Sequence, residues 1–142
     1  MQVREIMTRG AELIDPDMPL REVAKRMRVE NLGALPIGEN DRLIGMITDR
    51  DIVVRGVADG KVDGTVAREV MSEKVYYCFE EDDLDDAADV MAEHQVRRLP
   101  VLDEGKRLVG MVSLADLGLS GSSTAARRAL QGVSEPSDTD RR

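Results

Sequence analysis

Laid against itself, this chain repeats. Met7 meets Met71, Leu20 meets Leu84, Ala24 meets Ala88, Met27 meets Met91 and Leu35-Pro36 meets Leu99-Pro100, all displaced by 64 residues. Past the polar turn at Gly38 to Arg42 the displacement becomes 65, pairing Gly45 with Gly110 and Asp51 with Asp116, as one residue inserted in a hairpin loop produces. A repeat of roughly 60 residues buries too little of its own surface to be secure alone. The two copies are therefore expected to pack face to face and leave a symmetric crevice.

Within the first copy, the apolar segment Ala11 to Asp15, ended by Pro16, reads as a strand. Leu20, Val23, Ala24 and Met27 recur at helical spacing among charged residues, which predicts an amphipathic helix from about Pro19 to Glu30. Ala34 to Ile37 and Leu43 to Ile47 flank the polar turn as a hairpin, and a second helix is expected from Asp49 to about Val57. After the Gly/Asp-rich linker Asp59 to Thr65, the second copy reuses the unit. It offers a strand at Val75 to Phe79, a helix from Asp83 to Gln95, strands at Arg98 to Leu102 and Leu108 to Val112, and a short helix near Leu114. The fold class is α/β (α+β), with two β-α-β-β-α repeats in pseudo-two-fold symmetry. The expected domains are 1–60 and 61–118, followed by a flexible tail at 119–142 whose Ala125 to Leu130 segment is too short to be a stable helix alone.

Each repeat closes on the same motif. Gly45-Met46-Ile47-Thr48-Asp49-Arg50-Asp51-Ile52 and Gly110-Met111-Val112-Ser113-Leu114-Ala115-Asp116-Leu117 share a glycine, two apolar residues, a hydroxyl and, three residues later, an acid. Such a Ser/Thr-x-x-Asp segment after a strand is a capping box, in which hydroxyl and carboxylate satisfy the free N–H groups of a starting helix. It also suits a ribose phosphate, because a carboxylate accepts from two vicinal hydroxyls. The two roles are compatible.

Charge narrows the partners. Twenty Lys and Arg against 28 Asp and Glu leave a formal net charge of -8, which argues against a protein dependent on broad phosphate-backbone contacts, so nucleic acid is not an expected partner. Any phosphate site must be locally basic, and Arg50, Arg97, Arg98, Lys106 and Arg107 are the candidates. Apolar runs are too short for a membrane span or signal peptide, making the cytoplasm the expected location. With one cysteine, Cys78, and one histidine, His94, neither a disulfide framework nor a zinc cluster is expected, and no catalytic constellation stands out. The acidic run Glu80 to Asp83 is best explained by compensation of a helix dipole. Alternation sends Tyr77 and Phe79 to one face of their strand and Tyr76 to the other.

Over residues 3 to 118 the ordered motif set resembles a tandem pair of CBS (cystathionine β-synthase) domains, a Bateman module. The phrases GALPI, GMITDRDIV and EHQVRRLPV look most like stand-alone bacterial CBS pairs of the hypoxic-response type. The resemblance implies a regulatory stress-response module, not an enzyme, that requires no cofactor and binds AMP, ADP, ATP or S-adenosylmethionine between its repeats. It further implies a homodimer formed through helices, acting on an unknown protein partner. Carried over by motif, Asp51 and Asp116 take the ribose hydroxyls, Thr48 and Ser113 lie beside ribose or phosphate, and basic residues before the Leu-Pro of the middle strand reach phosphate. Arg97 and Arg98 stand there in the second repeat but Gly33 and Ala34 in the first, so the two sites are expected to differ; Arg50 is a further ligand candidate. The alternative is a ligand-independent dimeric scaffold whose motifs are only caps.

Overall fold

The computed structural model describes residues 1–120 and 123–134. They fall into two compact units, one comprising Glu12–Val75 with Lys106–Leu108, the other Met1–Ala11, Tyr76–Gly105 and the chain from Val109 onward. These units do not coincide with contiguous stretches of sequence.

In the first unit, helix α1 (Leu20–Glu30) starts directly after Pro19, whose φ of -58° presets the entry. It buries Leu20, Val23 and Met27 and stops at Asn31, whose left-handed conformation lets its N–H reach the Met27 carbonyl. Strands β2 (Ala34–Glu39) and β3 (Arg42–Thr48) form an antiparallel hairpin that places Ala34 opposite Thr48. Its turn is Asn40-Asp41, both with positive φ, as a two-residue hairpin loop requires. Helix α2 (Asp49–Asp51) continues as a π-helical segment, Ile52–Val57, and α3 (Ala67–Val70) completes the unit. Ile14, Leu20, Val23, Ile37, Ile47 and Val70 form the heart of its core.

The second unit is built on a four-stranded sheet. Strands β1 (Thr8–Arg9), β4 (Cys78–Phe79), β5 (Arg98–Leu102) and β6 (Leu108–Ser113) lie in the order β1-β6-β5-β4, with β1 antiparallel to β6 and β4 parallel to β5. Helix α4 (Leu84–His94) buries Leu84, Ala87, Ala88 and Met91 against this sheet's core, and α5 (Leu114–Leu119) follows β6 directly. The aromatic alternation holds: Tyr77 and Phe79 meet edge to face at 5.6 Å, while Tyr76 stacks on His94 at 3.7 Å.

The motif glycines explain how each unit is closed. A Cβ on Gly110 would stand 2.7 Å from the Thr8 carbonyl oxygen and 2.9 Å from Met7 Sδ. One on Gly45 would stand 2.9 Å from the Ser72 carbonyl oxygen and 2.8 Å from Met71 Sδ. Thr8 and Ser72 are themselves repeat equivalents, and each lays its backbone across the motif strand of its unit, Thr8 opposite Met111 and Ser72 bridging Met46. The segment that opens each sequence repeat is thus incorporated beside the hairpin of the other repeat.

Two expected strands are shorter than their apolar runs. Ala11 to Asp15 contributes only a parallel bridge from Ile14 to Ile37, after which the Asp15 carboxylate accepts the Asp17 N–H as the chain turns. Val75 to Phe79 retains only Cys78–Phe79, and Asp82 in turn accepts the Phe79 N–H. The flexible tail expected over 119–142 requires correction. Residues Ser123–Ser134 form a twelve-residue helix, α6, docked on α4 and α5, with Ala125 and Ala129 fully buried. Gly132 lies against Ala92 so closely that a Cβ there would come within 2.2 Å of the Ala92 Cβ, and Arg128 pairs with Asp89 at 3.1 Å. Burial of a small-residue stripe supplies what isolated helix propensity does not. The rest of the expected tail, 121–122 and 135–142, lies outside the described residues.

Two stability measurements check this packing. Removing residues 123–142 is expected to lower the thermal midpoint by on the order of 5 °C, since it uncovers core alanines of α4. Gly110→Ala is expected to cost about 1–3 kcal/mol in urea unfolding, because backbone rather than a flexible side chain obstructs the new methyl group. An unchanged midpoint for both would contradict the described docking and strand crossing.

Candidate functional site

Both closing motifs are reciprocal caps. In the first, the Thr48 N–H donates to Asp51 Oδ2 at 2.9 Å and the Asp51 N–H donates to Thr48 Oγ1 at 3.0 Å. In the second, the Ser113 N–H donates to Asp116 Oδ2 at 2.8 Å and the Asp116 N–H donates to Ser113 Oγ at 3.1 Å. The extended backbone of Thr48 and Ser113 aims each hydroxyl back over the first helical turn. Each cap uses one carboxylate oxygen and leaves the other for something else.

That second oxygen has a different fate in the two units. Asp51 Oδ1 accepts from Arg55 Nη2 at 2.6 Å, one helical turn onward, and the Asp51 side chain is only 16% exposed. Asp116 Oδ1 has no partner among the described residues, and its side chain is part-buried.

The basic candidates divide likewise. The Leu114 N–H donates to the Arg97 carbonyl at 2.8 Å, which ties Arg97 to the residue immediately after Ser113. Arg98 opens β5, and both arginines are exposed and without an ion-pair partner among the described residues. The second unit therefore brings Arg97, Arg98, Ser113 and Asp116 into one neighbourhood. In the first unit the equivalent bond runs from the Asp49 N–H to the Gly33 carbonyl at 2.9 Å. A Cβ on Gly33 would meet the Asp49 carboxylate at 3.0 Å, so an acid occupies the space beside the position equivalent to Arg97. Arg50 is exposed there, its N–H donating to Asp49 Oδ1 at 2.8 Å. Asp49 and Arg55 were not singled out by the repeat comparison because neither recurs: Leu114 and Ser120 occupy their places.

A separate open hollow of about 920 Å³ lies at the turn end of the β2–β3 hairpin, lined by Glu39, Asn40, Arg42, Ile44, Arg68, Met71 and Glu73. Because Thr48 pairs with Ala34 at the other end of that hairpin, the hollow is remote from the cap along the strands. Arg68 is held there by Glu39 at 2.7 Å, a bond that raises its already high pKa.

Neither nucleophile candidate is poised for chemistry. The buried Cys78 thiol is directed at the Pro100 carbonyl, and burial, helped by Asp82, pushes its pKa up to about 12. His94 lies flat on Tyr76 at the end of α4. Among the described residues no group of three His, Cys, Asp or Glu side chains is arranged to hold a metal, and no helix is long and apolar enough to cross a membrane.

The CBS domain family model matches residues 3–56 and 67–117, once for each copy of the motif. The chain belongs to the CBS-domain family. This CBS pair is 44% identical over 116 residues to Hypoxic response protein 1 of Mycobacterium tuberculosis, covering 80% of each chain. A crystal structure of Hypoxic Response Protein I with two coordinated zinc ions matches with a TM-score of 0.75 and 42% identity, covering 84% of this chain and 98% of the other. The CBS pair of protein MJ0100, solved in complex with 5-methylthioadenosine and S-adenosyl-L-methionine, matches with a TM-score of 0.77 and 26% identity, covering 87% and 98%. The two-repeat α+β architecture expected from sequence is the one these structures share.

The raised Cys78 pKa has a definite sign. The folded state favours the protonated thiol, so this contribution to stability is complete below the unfolded-state value near 9 and is lost as pH rises from about 9 towards 12. Native protein at pH 8 is accordingly expected to resist thiol alkylation, with rapid labelling only after unfolding. Fast labelling of the native chain would contradict the burial.

Proposed function

We propose that this CBS pair is a regulatory module that binds an adenosine-containing ligand, with the Ser113–Asp116 motif as its principal site. The Oδ1 of Asp116, without a partner among the described residues on a carboxylate oriented by its cap, and the Arg97 backbone tied to Leu114 in the same motif carry this reading. Asp116 takes the ribose hydroxyls, Ser113 flanks the ribose or phosphate, and Arg97 and Arg98 favour a phosphate-bearing ligand such as AMP, ADP or ATP. Thr48, Arg50 and Asp51 form the corresponding site in the first unit. The MJ0100 complex supports adenosine chemistry in this family. The chain's buried thiol and stacked histidine support regulation rather than catalysis, and the ligand class suits a cytoplasmic protein.

A homodimer is the second part of the proposal. Helix α6 covers α4 and α5 in one unit, whereas the other unit leaves Val29 on α1 78% exposed and Val53, Val54 and Val57 exposed on the π-helical segment. We assign the exposed valines of the π-helical segment to contact with a second copy. Val53→Lys with Val57→Lys is expected to yield a monomer mass by light scattering where the unaltered chain gives a dimer. A monomer for both chains would sink the dimer.

Calorimetric titration tests the ligand. Asp116→Asn keeps the shape and one acceptor but removes charge-assisted hydrogen bonds worth about 1.5–3 kcal/mol each, so AMP affinity is expected to fall by roughly tenfold or more at unchanged fold. Arg97→Ala is expected to weaken AMP more than adenosine. Unchanged AMP affinity in Asp116→Asn would leave the motif a cap and favour the scaffold alternative.

A further inference from the structure

We propose that Arg55 is a built-in competitor for ligand at the first motif, so that the two motifs fill in order, Ser113–Asp116 before Thr48–Asp51. The proposal rests on the ribose role of the two aspartates and deepens it by assigning their regulation.

Both carboxylate oxygens of Asp51 are occupied from within the chain. Oδ2 accepts the Thr48 N–H of the cap, and Oδ1 accepts from Arg55 Nη2 at 2.6 Å. A ribose arriving at Asp51 must share or take the oxygen that the guanidinium holds. The repeat equivalent of Arg55 is Ser120, a neutral residue whose hydroxyl donates to the Leu117 carbonyl at 2.6 Å. Asp116 therefore has no such cation one turn along its helix, and no cation among the described residues pairs with its Oδ1.

The lock is built to be displaced. Asp51 is 16% exposed but the Arg55 side chain is 47% exposed, so the pair faces water on the arginine side. Such a half-exposed pair adds little to stability, and its guanidinium can move into water while the cap and an arriving ribose keep Asp51 hydrogen-bonded. Its effect is a graded penalty on binding rather than a block. Asp49 deepens the contrast: its carboxylate fills the space beside Gly33, adding negative charge where the second unit has Arg97 and Leu114. The first motif is thus biased towards an uncharged adenosine ligand that arrives after the second motif has filled. Salt adds a sign test, because screening weakens the Arg55–Asp51 pair and must raise the affinity of neutral adenosine at this motif.

The experiment uses the full chain and titrates adenosine, with Asp116→Asn as the background so that the second motif is weakened and the first contributes more of the signal. Adding Arg55→Ala is expected to raise adenosine affinity by about two- to fivefold. Arg55→Lys keeps the cation and is expected to give a smaller gain. Adding Asp51→Asn to the Asp116→Asn/Arg55→Ala chain is expected to remove the gain. Equal adenosine affinity with and without Arg55→Ala, in a chain whose unaltered form binds adenosine or AMP, would overturn the competitor while leaving the ribose reading intact. A gain that survives Asp51→Asn would overturn it too. If neither ligand binds the unaltered chain or any variant, the ribose reading itself falls and the inference with it.

Discussion

Each motif aspartate divides its two carboxylate oxygens between two tasks. Oδ2 closes a reciprocal cap with Thr48 or Ser113, fixing the side chain against the helix it starts. Oδ1 is then held at a defined place with its rotamer already chosen, and ordering it for a ligand costs little further entropy. A cap is usually set against a binding role as its mundane alternative. In the proposed site it positions the acceptor, with Arg55 holding Asp51 Oδ1 and Ser120 at the equivalent place beside Asp116.

A second constraint fixes where the motifs can stand. At Gly45 and Gly110 the backbone of another chain segment passes within contact distance of the missing Cβ. Each motif strand is thereby pinned between its hairpin partner and an opening segment that belongs, in sequence order, to the other repeat. The exchange makes neither repeat a self-sufficient folding unit, which accords with the modest surface a 60-residue unit buries, by roughly that size argument. Motif spacing alone shows that the glycines recur, whereas the crossing backbone shows why no side chain is allowed there.

Much of this was legible in the sequence because the signals were periodic or repeated. Leu20, Val23 and Met27 marked α1, and the polar turn marked the hairpin. Expectation departed from structure where local pattern was weak. The stripe Ala125, Ala129 and Gly132 has little hydropathy, yet small side chains permit the close approach of α6 to Ala92. The expected strands around Ile14 and Cys78 pair only near their C-terminal ends, next to aspartate-stabilised turns that an apolar count does not register. At the candidate site the repeats exposed what is shared, Thr48–Asp51 and Ser113–Asp116, and concealed Arg55 and Asp49, since a residue that breaks the repeat leaves no echo.

The most direct measurement is a crystal structure of this chain grown with AMP. The account predicts ribose hydroxyls within hydrogen-bond distance of Asp116 Oδ1, Asp116 Oδ2 still accepting the Ser113 N–H, and the phosphate beside Arg97 or Arg98. AMP bound away from Asp116, or a ribose that reaches Asp116 only by breaking its cap, would contradict it.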